Sequence, residues 1–147
     1  MATDPATVLD FPTFATMQAS MSRSRLSAIP SAPKTLGAIN VVHLIEKFKF
    51  DDNSEFFAAD SGQNDPKRIV IFSSPQQDLR RLETVDTIRV DGTFWTVPHI
   101  FHQLLTIHAE VYGQNFPFLY CLLPDKSEET YRKTFVMITN LCRERNI

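Results

Sequence analysis

Gln103-Leu104-Leu105-Thr106-Ile107-His108-Ala109-Glu110-Val111-Tyr112-Gly113-Gln114-Asn115-Phe116-Pro117-Phe118-Leu119-Tyr120-Cys121-Leu122-Leu123 is the stretch that decides the fold class. From Gln103 to Tyr112 the residues alternate. Leu105, Ile107, Ala109 and Val111 share one face, and Thr106, His108 and Glu110 share the other, as successive side chains of a strand do. Gly113-Gln114-Asn115 turns the chain. Phe116 to Leu123 is an almost unbroken apolar run, the pattern of a strand covered on both faces. Pro117 falls near its start, where a missing N–H is tolerated.

Downstream, the pattern changes to that of a helix from about Ser127 to Arg143. Asp125 with Glu128 reads as a capping box, and Ser127 competes as the cap. Tyr131, Phe135, Ile138 and Cys142 recur at helical spacing and form one apolar stripe. Glu128 and Glu129 near its start, and Arg143 and Arg145 at or past its end, suit the helix dipole. Upstream, Thr87-Ile88-Arg89-Val90-Asp91 alternates as a strand and closes at Gly92. Before it, Ser74-Pro75-Gln76-Gln77 carries the cap, the first-position proline and the third-position glutamine of a helix start, and that helix ends near Thr84.

Phe56-Phe57-Ala58-Ala59 and Arg68-Ile69-Val70-Ile71-Phe72 read as strands. Asp60-Ser61-Gly62-Gln63-Asn64-Asp65-Pro66 between them is a run of turn formers, so a β-hairpin is expected. Val41, Val42, Leu44, Ile45 and Phe48 suggest a short helix or a buried turn. Residues 1–36 hold four prolines and many Ser, Thr and Ala, and read as a flexible leader. A short helix on Phe11, Phe14, Met17 and Met21 is the alternative, and the frayed tail is preferred. The expected fold is α+β (α/β-like): a three-stranded antiparallel sheet followed by a helix, preceded by a hairpin and a short helix. Three segments follow: the leader 1–36, an ordered hairpin and helix over 37–84, and a core over 85–147.

The 147 residues suffice for one domain with a real core. A net charge of −2 gives no support for DNA binding through phosphate neutralisation by this stretch alone. Two separated cysteines, Cys121 and Cys142, argue against a disulfide framework or a cysteine-based zinc module. No apolar run reaches the roughly 18 residues of a transmembrane helix, so no membrane partner is expected. The opening Met1-Ala2-Thr3-Asp4-Pro5 lacks the pattern of a secretory signal, and an intracellular location is the default.

Asp91 is the foremost candidate for chemistry. A carboxylate at the end of a rigid strand is well placed to hold a metal ion at a sheet rim. Two-metal phosphodiester chemistry, however, needs several converging carboxylates around ions about 4 Å apart. On the residues alone, an Asp before a Gly is more often a strand end or turn residue. His43, His99, His102 and His108 form no clean metal set, and structural roles are expected for them. Cys121 and Cys142 read as core thiols. Asp51, Asp52, Glu55 and Asp60 read as a solvated acidic patch around a turn. The four glycines are isolated, so no phosphate-cradling loop is formed.

Val90-Asp91-Gly92-Thr93-Phe94, with Pro98, Phe101 and Gln103-Leu104-Leu105-Thr106-Ile107-His108-Ala109, resembles the start of a Mutator-like element (MULE) transposase domain. The resemblance continues through Pro117-Phe118-Leu119-Tyr120-Cys121-Leu122-Leu123-Pro124-Asp125-Lys126 and Glu129-Thr130-Tyr131-Arg132, and spans roughly Arg68 to Ile147. Trp95 departs from the family, which often has a basic residue there, so no phosphate contact is expected at that position. The resemblance implies an RNase H-like DDE fold, present here in incomplete form. Asp91 would be the first catalytic and metal-binding acid, with Mg²⁺ or Mn²⁺ as cofactor, DNA as the parent's partner and the nucleus as its location. It implies that the second and third acids fall beyond Ile147, so these residues alone are not expected to be an active enzyme. The family's zinc-finger modules are missing.

In the complete family fold the strand carrying Asp91 is central. Without its second neighbour, one edge of residues 87–91 is expected to lie open and Ile88 and Val90 to lose cover. Low stability or self-association through that edge follows, unless the hairpin at 56–72 covers it.

Overall fold

The computed structural model describes residues 13–28, 32–51, 53–73 and 80–146. They fall into two compact units, Met1–Ala32 and Pro33–Ile147. The first unit contains helix α1, Phe14–Ala28. Thr13 starts it, its hydroxyl and carbonyl oxygens accepting the Thr16 N–H, and no proline follows until the helix has ended. The preference for a frayed tail is therefore corrected over this stretch. Ala, Met, Gln, Arg and Leu supply most of its residues, and their helix propensity outweighs the interspersed serines and the weak apolar pattern. Phe14, Met17 and Met21 are nevertheless exposed on this helix, and Phe11 lies outside the described residues.

The second unit is built on a five-stranded antiparallel sheet: β1 Phe57–Asp60, β2 Val70–Ser73, β3 Ile88–Thr93, β4 Gln103–Val111 and β5 Gln114–Leu123. Their spatial order is β1-β2-β5-β4-β3. The α+β class matches the sequence reading, but the strand count does not. The hairpin does not precede the sheet as a separate piece; β2 pairs with β5 and extends it. The reason lies in β5, whose two apolar faces and remaining edge, opposite β4, accept a second apolar strand. Val70 and Phe72 turn to one face, Ile69 and Ile71 to the other, so β2 continues both layers of the core.

β4 and β5 are joined by a tighter turn than three residues. Val111 pairs with Gln114, leaving Tyr112 and Gly113 as a two-residue turn. Both have positive φ, 52° and 74°, as in a type I′ hairpin turn. β5 carries a bulge: Ile107 faces Leu119, whereas His108 faces Pro117. The bulge turns Phe118 to the same core as Leu119, Cys121 and Leu123. It also places Pro117 beyond the segment that pairs with β2.

Helix α2, Val41–Lys47, is capped by Asn40, whose side chain accepts the His43 N–H. Its Leu44 joins Leu36, Val97, Ile100 and Phe101 against Val70, Phe72 and Leu122 on one sheet face. Helix α3, Glu128–Glu144, covers the other face. Ser127 is its cap, accepting the Thr130 N–H, while Asp125 braces the cap by accepting from the Ser127 N–H and hydroxyl. The expected stripe on α3 is rotated. The buried line is Thr130, Thr134 and Leu141, with Tyr131 and Ile138 flanking it and Phe135 44% exposed. Small threonines allow close approach to the sheet, and Thr134 satisfies its hydroxyl by donating to the Thr130 carbonyl at 2.7 Å.

The expected helix at 74–84 lies partly outside the described residues; Arg80–Thr84 is a 3₁₀ turn. β3 runs through Gly92 to Thr93 rather than closing at Gly92, because Gly92 still pairs with Leu105. No described helix is long and apolar enough to cross a membrane.

Candidate functional site at the β3 edge

β3 has one neighbour among the described residues. It pairs with β4 from Ile88↔Ala109 to Thr93↔Leu104, and the hairpin sits at the opposite side of the sheet. Ile88 is 58% and Val90 49% exposed. They share the α3 face with buried Ala109 and Ile107, yet no described element covers them.

Asp91 lies opposite Thr106 on the other face. Its backbone is held by the ladder, and the Thr106 hydroxyl donates to its carbonyl oxygen at 3.3 Å. His108 Nε2 meets the same hydroxyl at 2.9 Å, the local bond expected for this histidine. The Asp91 carboxylate is exposed and has no hydrogen-bond partner among the described residues. Two residues earlier on the same face, Arg89 donates to Glu110 at 2.8 Å. Asp91 is thus a free carboxylate on a backbone that is fixed.

Gly92 is needed for a packing reason. A Cβ there would lie 2.1 Å from Gln103 Nε2. Gln103 is buried, and its Oε1 accepts the Tyr131 hydroxyl at 2.6 Å. The glycine after Asp91 therefore lets a buried amide pass beneath β3 and tie β4 to α3. Trp95, in the loop that leaves β3, is 96% exposed.

The donor set at this rim is one carboxylate. No group of three or more His, Cys, Asp or Glu side chains is positioned to hold a metal ion among the described residues. The described residues do not by themselves fit a two-metal centre, which needs converging carboxylates. His99 and His102 are both exposed, and His102 meets Phe94 edge to face at 5.6 Å. Cys121 is fully buried, and burial pushes its thiol up to about 12. Burial also raises Cys142, against the opposing pull of Arg145. Neither thiol is primed as a nucleophile.

One acidic residue is corrected. Asp60 is no solvated surface group: it accepts a two-pronged pair from buried Arg68, at 2.8 and 2.7 Å. Arg68 also donates to the Leu36 and Ile39 carbonyls and so holds the segment before α2 to the hairpin. The available signal was an arginine opening an apolar strand, where its charge demands a partner. Asp52 lies outside the described residues.

The chain matches no protein-family model, no curated protein and no solved structure.

Proposed function

We propose that residues 68–147 correspond to the opening of the RNase H-like catalytic domain of a MULE-type DDE transposase, with Asp91 as its first acid. The observation that carries the reading is the placement of Asp91. It stands on a strand followed by two antiparallel neighbours and a covering helix, with an open sheet edge beside it. The sequence motifs quoted above and this order of elements are what support it. In the parent, DNA is the substrate and Mg²⁺ or Mn²⁺ the cofactor. Residues 1–147 supply one of three acids and are inactive alone in DNA cleavage and strand transfer. The second reading is a non-catalytic interaction module derived from such a transposase, favoured by the exposure of Ile88 and Val90.

Two experiments test this. A transcript read past codon 147 is expected to continue into a strand bearing an Asp and later a helix bearing a Glu; a sequence with neither would sink the transposase reading. Purified 147-residue protein is expected to leave a DNA end unprocessed with Mg²⁺ or Mn²⁺. Processing that disappears in Asp91→Asn would overturn the statement that this stretch is inactive.

A further inference from the structure

The open edge of β3 has a chemistry that selects its occupant. The Glu110 N–H donates to the Thr87 carbonyl at 3.3 Å. In an antiparallel ladder this sets the alternation: Arg89, Asp91 and Thr93 bond to β4, and Ile88, Val90 and Gly92 turn their N–H and C=O groups to the open side. Any strand that adds here must meet those three residues.

We infer that this edge pairs with the β3 edge of a second copy of the chain, antiparallel and centred on Val90. Three features converge on that register. It places outward-bonding residues opposite one another, Val90 against the partner's Val90 and Ile88 against the partner's Gly92. No other two-fold register overlaps all three. On the α3 face it joins the exposed Ile88 and Val90 of both chains into one apolar strip. On the opposite face it sets Arg89 directly across from the partner's Asp91, twice by symmetry. These are non-hydrogen-bonded positions, where facing side chains approach most closely. The contact is isologous and closes as a dimer, because each copy's β3 edge is used up by the other.

α3 contributes to the same side. Tyr131 bonds to Gln103 on β4, whereas Lys133 on the opposite flank bonds to Asp65 beyond β1. Phe135, on the Tyr131 flank, therefore lies toward the β3 side and extends the apolar surface. The pairing takes up the Asp91 carboxylate and so competes with any metal there, yet it stands on strand chemistry alone and does not depend on the transposase reading.

The test is sedimentation velocity across a concentration series with the 147-residue protein. A reversible monomer–dimer equilibrium is expected. Arg89→Glu places like charges against the partner's Asp91, and Asp91→Lys against the partner's Arg89. Each alone is expected to weaken dimerisation by about tenfold or more, the direction of like-charge juxtaposition at an interface. Mixing the two variants sets the carboxylate introduced in one chain against the ammonium introduced in the other, and leaves a native Arg89 facing a native Asp91. A dimer between the two variants is then expected to return. The double variant R89E/D91K restores it within one species and decides the matter if either single variant fails to give a folded circular dichroism spectrum. A monomer at all concentrations, a dimer indifferent to the single changes, or variants that stay apart when mixed would each overturn the inference.

Discussion

At the scale of single residues, two backbone positions make opposite predictions. Gly92→Ala inserts a methyl group where Gln103 Nε2 now lies. The amide is the end of a flexible side chain, but it is buried and fixed by Tyr131, so moving it sacrifices that bond. A loss of about 1–3 kcal/mol is expected, the cost of displacing a buried hydrogen-bonded group. Tyr131→Phe strands the Gln103 oxygen and is expected to cost a similar amount. Because both changes break one link, the double variant should lose less than the two losses combined in urea unfolding; strict additivity would refute the shared link. Tyr112 is the reverse case. It is fully exposed and held at φ 52°, where a side chain with a bulky Cβ substituent is strained. Tyr112→Asn is expected to stabilise the protein by roughly 1 kcal/mol, since Asn-Gly is the favoured pair for this turn. Thermal unfolding checks it, and a lowered Tm would show that the tyrosine ring contributes packing that outweighs its backbone cost. This turn was legible only in part: Gly113 was an evident signal, but nothing in a tyrosine announces a left-handed residue.

At the scale of elements, α3 is clamped to the hairpin by charge. Lys133 bonds to Asp65, and Lys67 bonds to Glu129 at 2.6 Å and lies 3.7 Å from Asp125. Burial opposes ionisation of Asp65, yet hydrogen bonds from Lys133, Ser61 and the Lys67 amide outweigh it and hold the carboxyl below its usual range. Asp125 is held well below that range by the Ser127 and Thr130 hydroxyls and the Ser127 amide. Both groups thus bind protons less readily folded than unfolded. Their stabilisation is complete above the unfolded carboxylate pKa near 4 and is lost as pH falls through the lower folded values. Tm is therefore expected to drop with acid below about pH 4. The pair Asp65→Asn and Asp125→Asn should flatten that slope while leaving the slope at neutral pH unchanged; an acid limb of undiminished steepness would place its origin elsewhere. The helix itself and its charged ends were legible from local pattern, whereas its cap is Ser127, the competitor to the Asp125–Glu128 capping box. Its buried face was not, because hydrophobicity ranked Phe135 above Thr134. What decided the matter was the closeness of the sheet, which admits a threonine.

At the scale of the whole sheet, each strand could be read from alternation, but the order of strands could not. Alternation names a buried face, not a neighbour. The hairpin had two candidate destinations, the far side of β5 and the open side of β3, and it went to β5. There its two apolar faces continue both core layers, whereas beside β3 one face would have met Arg89 and Asp91. That choice leaves stability unevenly distributed, and hydrogen exchange can read it. Amides of Leu119 to Leu122 lie on a strand paired on both sides and open only with the whole sheet, so they should exchange most slowly. The outward amides of Ile88, Val90 and Gly92 have no partner strand among the described residues and should exchange within the fastest class of sheet amides in dilute protein. The Arg89 and Asp91 amides, bonded to β4, should fall between. Raising the concentration is expected to slow Ile88, Val90 and Gly92 while leaving Leu119 to Leu122 unchanged. A second chain closes the edge without altering the centre. Strong protection of all three outward amides at high dilution would mean that the same chain already covers this edge, and would remove the basis for pairing between copies.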